Sequence, residues 1–140
     1  MSKIAKDNIG VYSKERAKRI YEKDEKSIGA LNWVRLNDYV VDYFSKNQCE
    51  NVLDLGCGTG RFFSSFRCEN LFGVDLSADM LAWAKETDNK LKEKDIRQYK
   101  NLLLLEMDIV EFCKQEQHQN KFDFIFSAHT LYTKMTSLDI

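Results

Sequence analysis

From Asn51 onward the chain alternates short apolar runs with stretches whose apolar positions recur every three or four residues. "NVLDL" reads as a first strand, "NLFGVDL" as a second and "NLLLLEM" as a third. "KFDFIFSA", running into "HTLYTKM", reads as a fourth. Between them, "RFFSSF" reads as a helix opened by a glycine-rich turn. Ser77 is placed to cap a helix whose Met80, Leu81 and Ala84 face inward, and "IVEFCKQ" after Asp108 reads as a short helix or turn. Near-continuous apolar strands separated by helices predict a parallel sheet covered on both faces. Right-handed crossovers then make the layout α/β and doubly wound, with about four strands.

Before Asn51 the period is helical. Residues 13–27 are charged, with Ala17, Ile20 and Tyr21 forming a thin apolar stripe. Over residues 30–45, Trp33, Leu36, Val40, Tyr43 and Phe44 recur at three- and four-residue steps and predict one buried face. The expected organisation is one domain, with a helical region over 1–46 and βα units over 47–140.

Composition narrows the function classes. At 140 residues, 44% hydrophobic and 12% aromatic, the chain can build one core and does not read as disordered. A net charge of −1 gives the whole chain no pull toward phosphate backbones or acidic membranes, so neither nucleic acid nor membrane is expected as a partner. The charged run "KLKEKDIRQYK" mixes both signs and reads as a solvated helix end. The N-terminus "MSKIAKDNIG" has no signal-peptide core, and no run has the length of a membrane span. Cys49, Cys57, Cys68 and Cys113 show no CxxC spacing and read as reduced, buried thiols of a cytoplasmic protein. No metal site is expected, since His118 and His129 form no paired ligand pattern with them.

The chemistry concentrates around Gly56, Gly58 and Gly60, which follow the first strand directly. In an open parallel sheet, ligands bind beyond the carboxyl ends of the strands, near the point where strand order reverses. Glycines there permit positive φ and a close approach of main chain to ligand. A helix starting at the loop would add free N–H groups and its positive end, favouring a carboxylate or phosphate. The spacing is G-x-G-x-G, with Arg61 where the dinucleotide fingerprint needs glycine or alanine. Asp54 precedes the loop within the strand. Asp75 ends the second strand, where a carboxylate can accept both hydroxyls of a ribose. Asp108 closes the third strand, where it can accept from an adenine amino group. Each acid also has a plain structural reading as a turn cap, a loop residue or a helix cap. Together with the glycines, the three suit a ligand that carries an adenosine and a net positive charge.

"VLDLGCGTGRF", "GVDLSADML", "LLLLEMDI" and "FDFIFSAHTLY" resemble, in order and spacing, successive motifs of the class I S-adenosylmethionine-dependent methyltransferases, over roughly residues 51–132. The resemblance implies a Rossmann-like fold, S-adenosyl-L-methionine as cofactor and methyl transfer as activity. It implies that Gly56, Gly58 and Gly60 cradle the methionine part, with Asp54 orienting the loop and the amino group and Cys57 packing between the glycines. By the same resemblance Asp75 holds the ribose, Leu76 and Met80 wall the adenine, and Asp108 reaches its amino group with Ile109 beside the ring. Ser127, Ala128 and His129 would line the cavity near the methyl. The helices of 1–46 resemble the family's variable cap, with Tyr12 and Tyr21 as candidates to close it or simply to pack.

Methyl transfer from a sulfonium is an in-line displacement, for which a protein mainly supplies alignment and exclusion of water. A general base is needed only when the acceptor proton leaves early, and His129 is the candidate, with pocket wall as its other reading. The expected partner is a methyl acceptor, in the first instance a small molecule. Family members commonly carry seven strands, and about four are present here, which reads as a truncated domain. The fourth strand is then an open apolar edge that a partner or a second copy would cover. Two rival readings are a non-catalytic module holding S-adenosylmethionine or S-adenosylhomocysteine, and an NAD-dependent oxidoreductase, against which Arg61 counts.

Overall fold

The structure, a computed structural model, describes residues 13–27 and 31–128. Helices α1 (Lys14–Ser27) and α2 (Leu31–Lys46) precede β1 (Asn51–Leu55), β2 (Cys68–Asp75), α3 (Ala78–Glu93), β3 (Tyr99–Glu106), α4 (Ile109–Lys114) and β4 (Phe124–Phe126). Single 3-10 turns lie at Phe63–Ser65 and Glu116–His118. The four strands form one parallel sheet in the order β3-β2-β1-β4, as the doubly wound reading expects. The chain steps from β1 to β2 to β3, then returns across both to lay β4 on the other side of β1. The order therefore reverses at β1, and the residues after β1 and β4 flank the crevice where such sheets bind ligands.

On one face of the sheet, Val40 and Phe44 of α2 and Leu81, Ala84 and Leu91 of α3 bury against Val52, Leu71 and Phe126. The predicted stripe of α2 is thus the buried one, with Leu36 and Tyr43 half-buried beside it; the side chain of Trp33 lies outside the described residues. Asn37 of α2 also accepts a hydrogen bond from the Ser65 hydroxyl, tying the helix to the first 3-10 turn. In the described part, α2 contributes a layer of the core. Helix α1 packs on α3 through Ala17 and Tyr21. The ring of Tyr21 stacks on Trp83 at 4.4 Å, with Lys90 Nζ 4.8 Å from its centroid. Tyr12 lies outside the described residues.

The opposite face carries a smaller core of Leu53, Leu55, Phe72, Val74 and Phe112. Its main helical cover is α4, six residues long and unable to span the sheet. Leu103 is accordingly 41% exposed and Ile125 60% exposed. Coverage of both faces therefore holds for β1 and fails at β3 and β4, and β4 ends the sheet among the described residues.

One other expectation needs correction. "RFFSSF" forms no α-helix, only the 3-10 turn Phe63–Ser65. Only residues 61–67 separate the loop from β2, too few for a helix and its return, and Phe62, Phe63 and Phe66 all sink into the core. The charged run "KLKEKDIRQYK" is largely exposed, as a solvated helix end should be, with Leu91 and Tyr99 buried. Asp88 just before it is fully buried, and the run delivers Lys92 (3.1 Å), Arg97 (3.2 Å) and the Tyr99 hydroxyl (2.7 Å) to its carboxylate.

The amino ends of the strands are closed by polar bonds. Asn101 donates to Asn70 at 2.9 Å and Asn70 to Asn51 at 3.0 Å, a side-chain ladder across three strands. Asp123 accepts from the N–H groups of Glu50 and Asn51, which hold its carboxyl below the usual range. All four cysteines are free; Cys57 and Cys68 are buried as expected, Cys49 is half-buried, and Cys113 is exposed on α4. Among the described residues no helix is long and apolar enough to cross a membrane.

Candidate functional site

The loop after β1 is held in a conformation that its glycines make accessible. Gly56, Gly58 and Gly60 have φ of 75°, 54° and 75°, the left-handed region where a side chain is strained. A Cβ on Gly60 would lie 2.7 Å from the Phe63 ring, and one on Gly58 would lie 3.1 Å from Met80 Cε. The main chain is fixed by its neighbours. The N–H groups of Gly56 and Cys57 both donate to the Val74 carbonyl of β2, at 2.7 and 3.0 Å. The Thr87 hydroxyl of α3 donates to the Thr59 carbonyl at 2.7 Å. Because the turn that follows is 3-10, there is no α-helical N-terminus at the loop to hold an anion.

Asp75 ends β2 directly against this loop. Its Oδ2 accepts from the Gly58 N–H at 2.9 Å and its Oδ1 from the Ser77 N–H at 3.0 Å. Burial raises its carboxyl, and these main-chain donors pull it back down. The loop and the carboxylate thus share one site, joined by a hydrogen bond.

Asp54 lies within β1, paired in register with Gly73 of β2 and Phe126 of β4. Parallel neighbours in register point to the same face, so its side chain stands between an aromatic ring and a residue without one. The space above Gly73 is occupied by Cys57, whose Sγ lies 3.0 Å from where a Gly73 Cβ would be. Asp54 is 3% exposed. Burial first, and the charge of Asp75 second, push its pKa up to about 8. The Cys57 thiol is pushed up as well, by burial and then by both carboxyls, which makes it a packing group and not a nucleophile.

The remaining candidates divide. Met80 is buried against the loop through Gly58, while Leu76 is half-buried beside Asp75. Asp108 is buried and caps α4, its Oδ1 accepting from the Val110 N–H at 2.9 Å. Ile109 packs into the smaller core near Phe112. Ser127 donates its hydroxyl to the Leu55 carbonyl at 2.9 Å, linking the ends of β4 and β1, and Ala128 packs on the larger core. His129 lies outside the described residues. Sequence reasoning missed Gly73, Thr87 and Ser77's N–H as parts of the loop's support. A glycine inside an apolar strand, opposite Asp54, was the signal available for the first.

Residues 46–139 match the family model described as "Methyltransferase domain". Over 119 residues the chain is 28% identical to phosphoethanolamine N-methyltransferase 3 of Arabidopsis thaliana, covering 83% of this chain and 22% of that protein. Over 84 residues it is 33% identical to malonyl-[acyl-carrier protein] O-methyltransferase 2 of Ilyobacter polytropus, covering 57% of this chain and 28% of that one. The chain thus spans about a quarter of the curated relatives it matches. In fold it superposes, with a TM-score of 0.67 and 16% identity, on the solved structure of a candidate S-adenosyl-L-methionine-dependent methyltransferase of Methanococcus maripaludis, covering 91% of this chain and 55% of that one.

Proposed function

The chain belongs to the methyltransferase-domain family, and from that membership we propose that it binds S-adenosyl-L-methionine at the carboxyl ends of β1 and β2. It carries, in this reading, the cofactor-binding part of a methyltransferase. The observation that supports it most is the loop: three left-handed glycines, bare of side chains, pinned by Val74, Asp75 and Thr87 beside the buried carboxyl of Asp54.

The residues fit the cofactor chemically. Main chain without side chains at Gly56, Gly58 and Gly60 admits the methionine part closely. A carboxylate has about four acceptor positions, so Asp75 can keep its bonds to Gly58 and Ser77 and still accept ribose hydroxyls. Asp54, a buried acid beside the loop, suits the ammonium. Met80 and Leu76 form the wall beside the loop, with Ile109 and the capping carboxyl of Asp108 at the adenine end. When bound, the cofactor supplies a methyl group on a sulfonium, already activated for displacement. The chain contributes a loop set in place in advance, so little ordering remains to be done on binding. The Ser127–Leu55 bond keeps the crevice between β1 and β4 closed below the reacting end.

We take the acceptor to be a small molecule. The two relatives are named for an amine and an acyl carboxylate, so phosphoethanolamine and a malonyl thioester head the acceptor panel. The four free thiols suit a reducing, cytoplasmic compartment. Calorimetry with S-adenosylhomocysteine tests the cofactor reading, and transfer of labelled methyl to the panel tests the activity. Saturable binding of one ligand per chain is expected; saturable NADH binding without it would contradict the assignment.

A further inference from the structure

Helix α3 reaches the glycine loop at two places along one of its faces. Met80, in the first turn, closes on Gly58, where a Cβ would meet its Cε at 3.1 Å. Thr87, about two turns further on, donates its hydroxyl to the Thr59 carbonyl at 2.7 Å. Ala84 and Leu91 on the same face are buried apolar core, so a hydroxyl there interrupts its stripe. A threonine inside a helix commonly turns its hydroxyl back to the carbonyl four residues earlier. This one crosses to the loop, 28 residues away in sequence. The helix beneath it is kept from turning, because the next residue, Asp88, is paired with Lys92, Arg97 and Tyr99. The donor therefore stands on a fixed base.

The peptide it holds is one that the sequence leaves free to move. Gly58 and Gly60 flank Thr59, and glycine takes positive and negative φ about equally readily. The Gly60 N–H closes a turn onto the Cys57 carbonyl at 3.0 Å, and Thr87 takes the carbonyl on the other side of the same peptide. The Thr59–Gly60 peptide is thus pinned at both of its polar atoms. We propose that Thr87 is a positioning residue: by holding this peptide, it presets the loop for the amino-acid end of the cofactor. This rests on the cofactor reading above, in which the adenosine end lies instead on Asp75, Met80 and Leu76. A ligand that reaches the loop gains from the preset conformation, and one that stops at the ribose does not.

The test is calorimetry of the full chain with S-adenosylhomocysteine and with 5′-methylthioadenosine, which keeps adenosine and sulfur but lacks the amino-acid end. NMR shifts follow the second ligand where its heats are small. Thr87→Val keeps the shape and removes the donor, while Thr87→Ser keeps the donor. A thermal melt verifies that each is folded, and Thr87→Ala takes the place of a valine variant that is not. The valine variant should bind S-adenosylhomocysteine about three- to tenfold more weakly, the range for one hydrogen bond, with 5′-methylthioadenosine unchanged. The serine variant should bind S-adenosylhomocysteine within about twofold of the wild type. Unchanged S-adenosylhomocysteine binding in the folded valine variant, an equal loss for both ligands, or no rescue by serine would overturn the proposal while leaving the cofactor reading intact. A wild type without saturable S-adenosylhomocysteine binding, by heat and by thermal shift, would overturn the cofactor reading and the proposal with it.

Discussion

Asp88 and Asp54 are both buried carboxyls, 0% and 3% exposed, and the regions around them answer that burial differently. At the far end of α3, Asp88 is met by Lys92, Arg97 and the hydroxyl of Tyr99, which burial and then the bond to Asp88 hold far above its usual range. At the carboxyl end of β1, Asp54 is met by an aromatic ring, a thiol and a second carboxyl. The first arrangement pairs the acid with cations of its own chain and belongs to the fold. The second shows no cation among these described groups and lies beside the loop, where the proposed function places the ligand ammonium. Burial of an acid therefore does not identify a site; what surrounds it does.

The comparison can be broken most sharply by neutralising each acid. Asp88→Asn leaves Arg97 and Lys92 without their counter-charge. Because Lys92 is half exposed and can turn to solvent, the cost should fall at the low end for a broken buried pair, about 3 kcal/mol by urea titration. Asp54→Asn should do the reverse. A carboxyl whose folded pKa is about 8, against about 3.9 unfolded, makes folded wild type lose stability as pH rises between those values. The variant lacks that loss, so it should melt above the wild type at pH 8 and level with it at pH 4. Equal melting at both pH values would remove the contrast.

A smaller effect probes the loop beside Asp54. Gly60→Ala puts a methyl 2.7 Å from the Phe63 ring at a φ of 75°. A loss of about 1–3 kcal/mol is expected, with weaker S-adenosylhomocysteine binding measured by calorimetry. Asp75→Ala removes the acceptor for Gly58 and Ser77 and, in the proposed function, for the ribose. Binding should weaken at least tenfold, since hydrogen bonds to a charged group are worth about 1.5–3 kcal/mol each. A folded Asp75→Ala protein that binds unchanged would separate Asp75 from the ligand.

Much of this was legible in the chain because local pattern and local structure agree. The apolar runs became strands within a few residues of where they read, Ser77 caps its helix, and the G-x-G-x-G spacing became three left-handed glycines. What was not legible depends on distances along the chain that no pattern encodes. "RFFSSF" has a helical texture, yet the strand that follows comes too soon for a helix. The run around Lys92 and Arg97 reads as a solvated helix end, and nothing in its pattern announces that two of its cations pair with Asp88, buried on α3. Gly73 looks like a flaw in a strand until Cys57 is found above it. At Asp54, sequence supplied the position beside the loop, and only the fold revealed that its carboxyl is buried near that of Asp75.

The central claim, that the glycine loop and Asp75 together bind S-adenosyl-L-methionine, is most directly tested by calorimetry of S-adenosylhomocysteine with the wild type and with Asp75→Ala. The predicted result is saturable binding of one ligand per chain by the wild type, weakened at least tenfold in a variant that a thermal melt shows to be folded. No binding heat and no ligand-induced thermal shift for the wild type, or unchanged affinity in the folded variant, would contradict it.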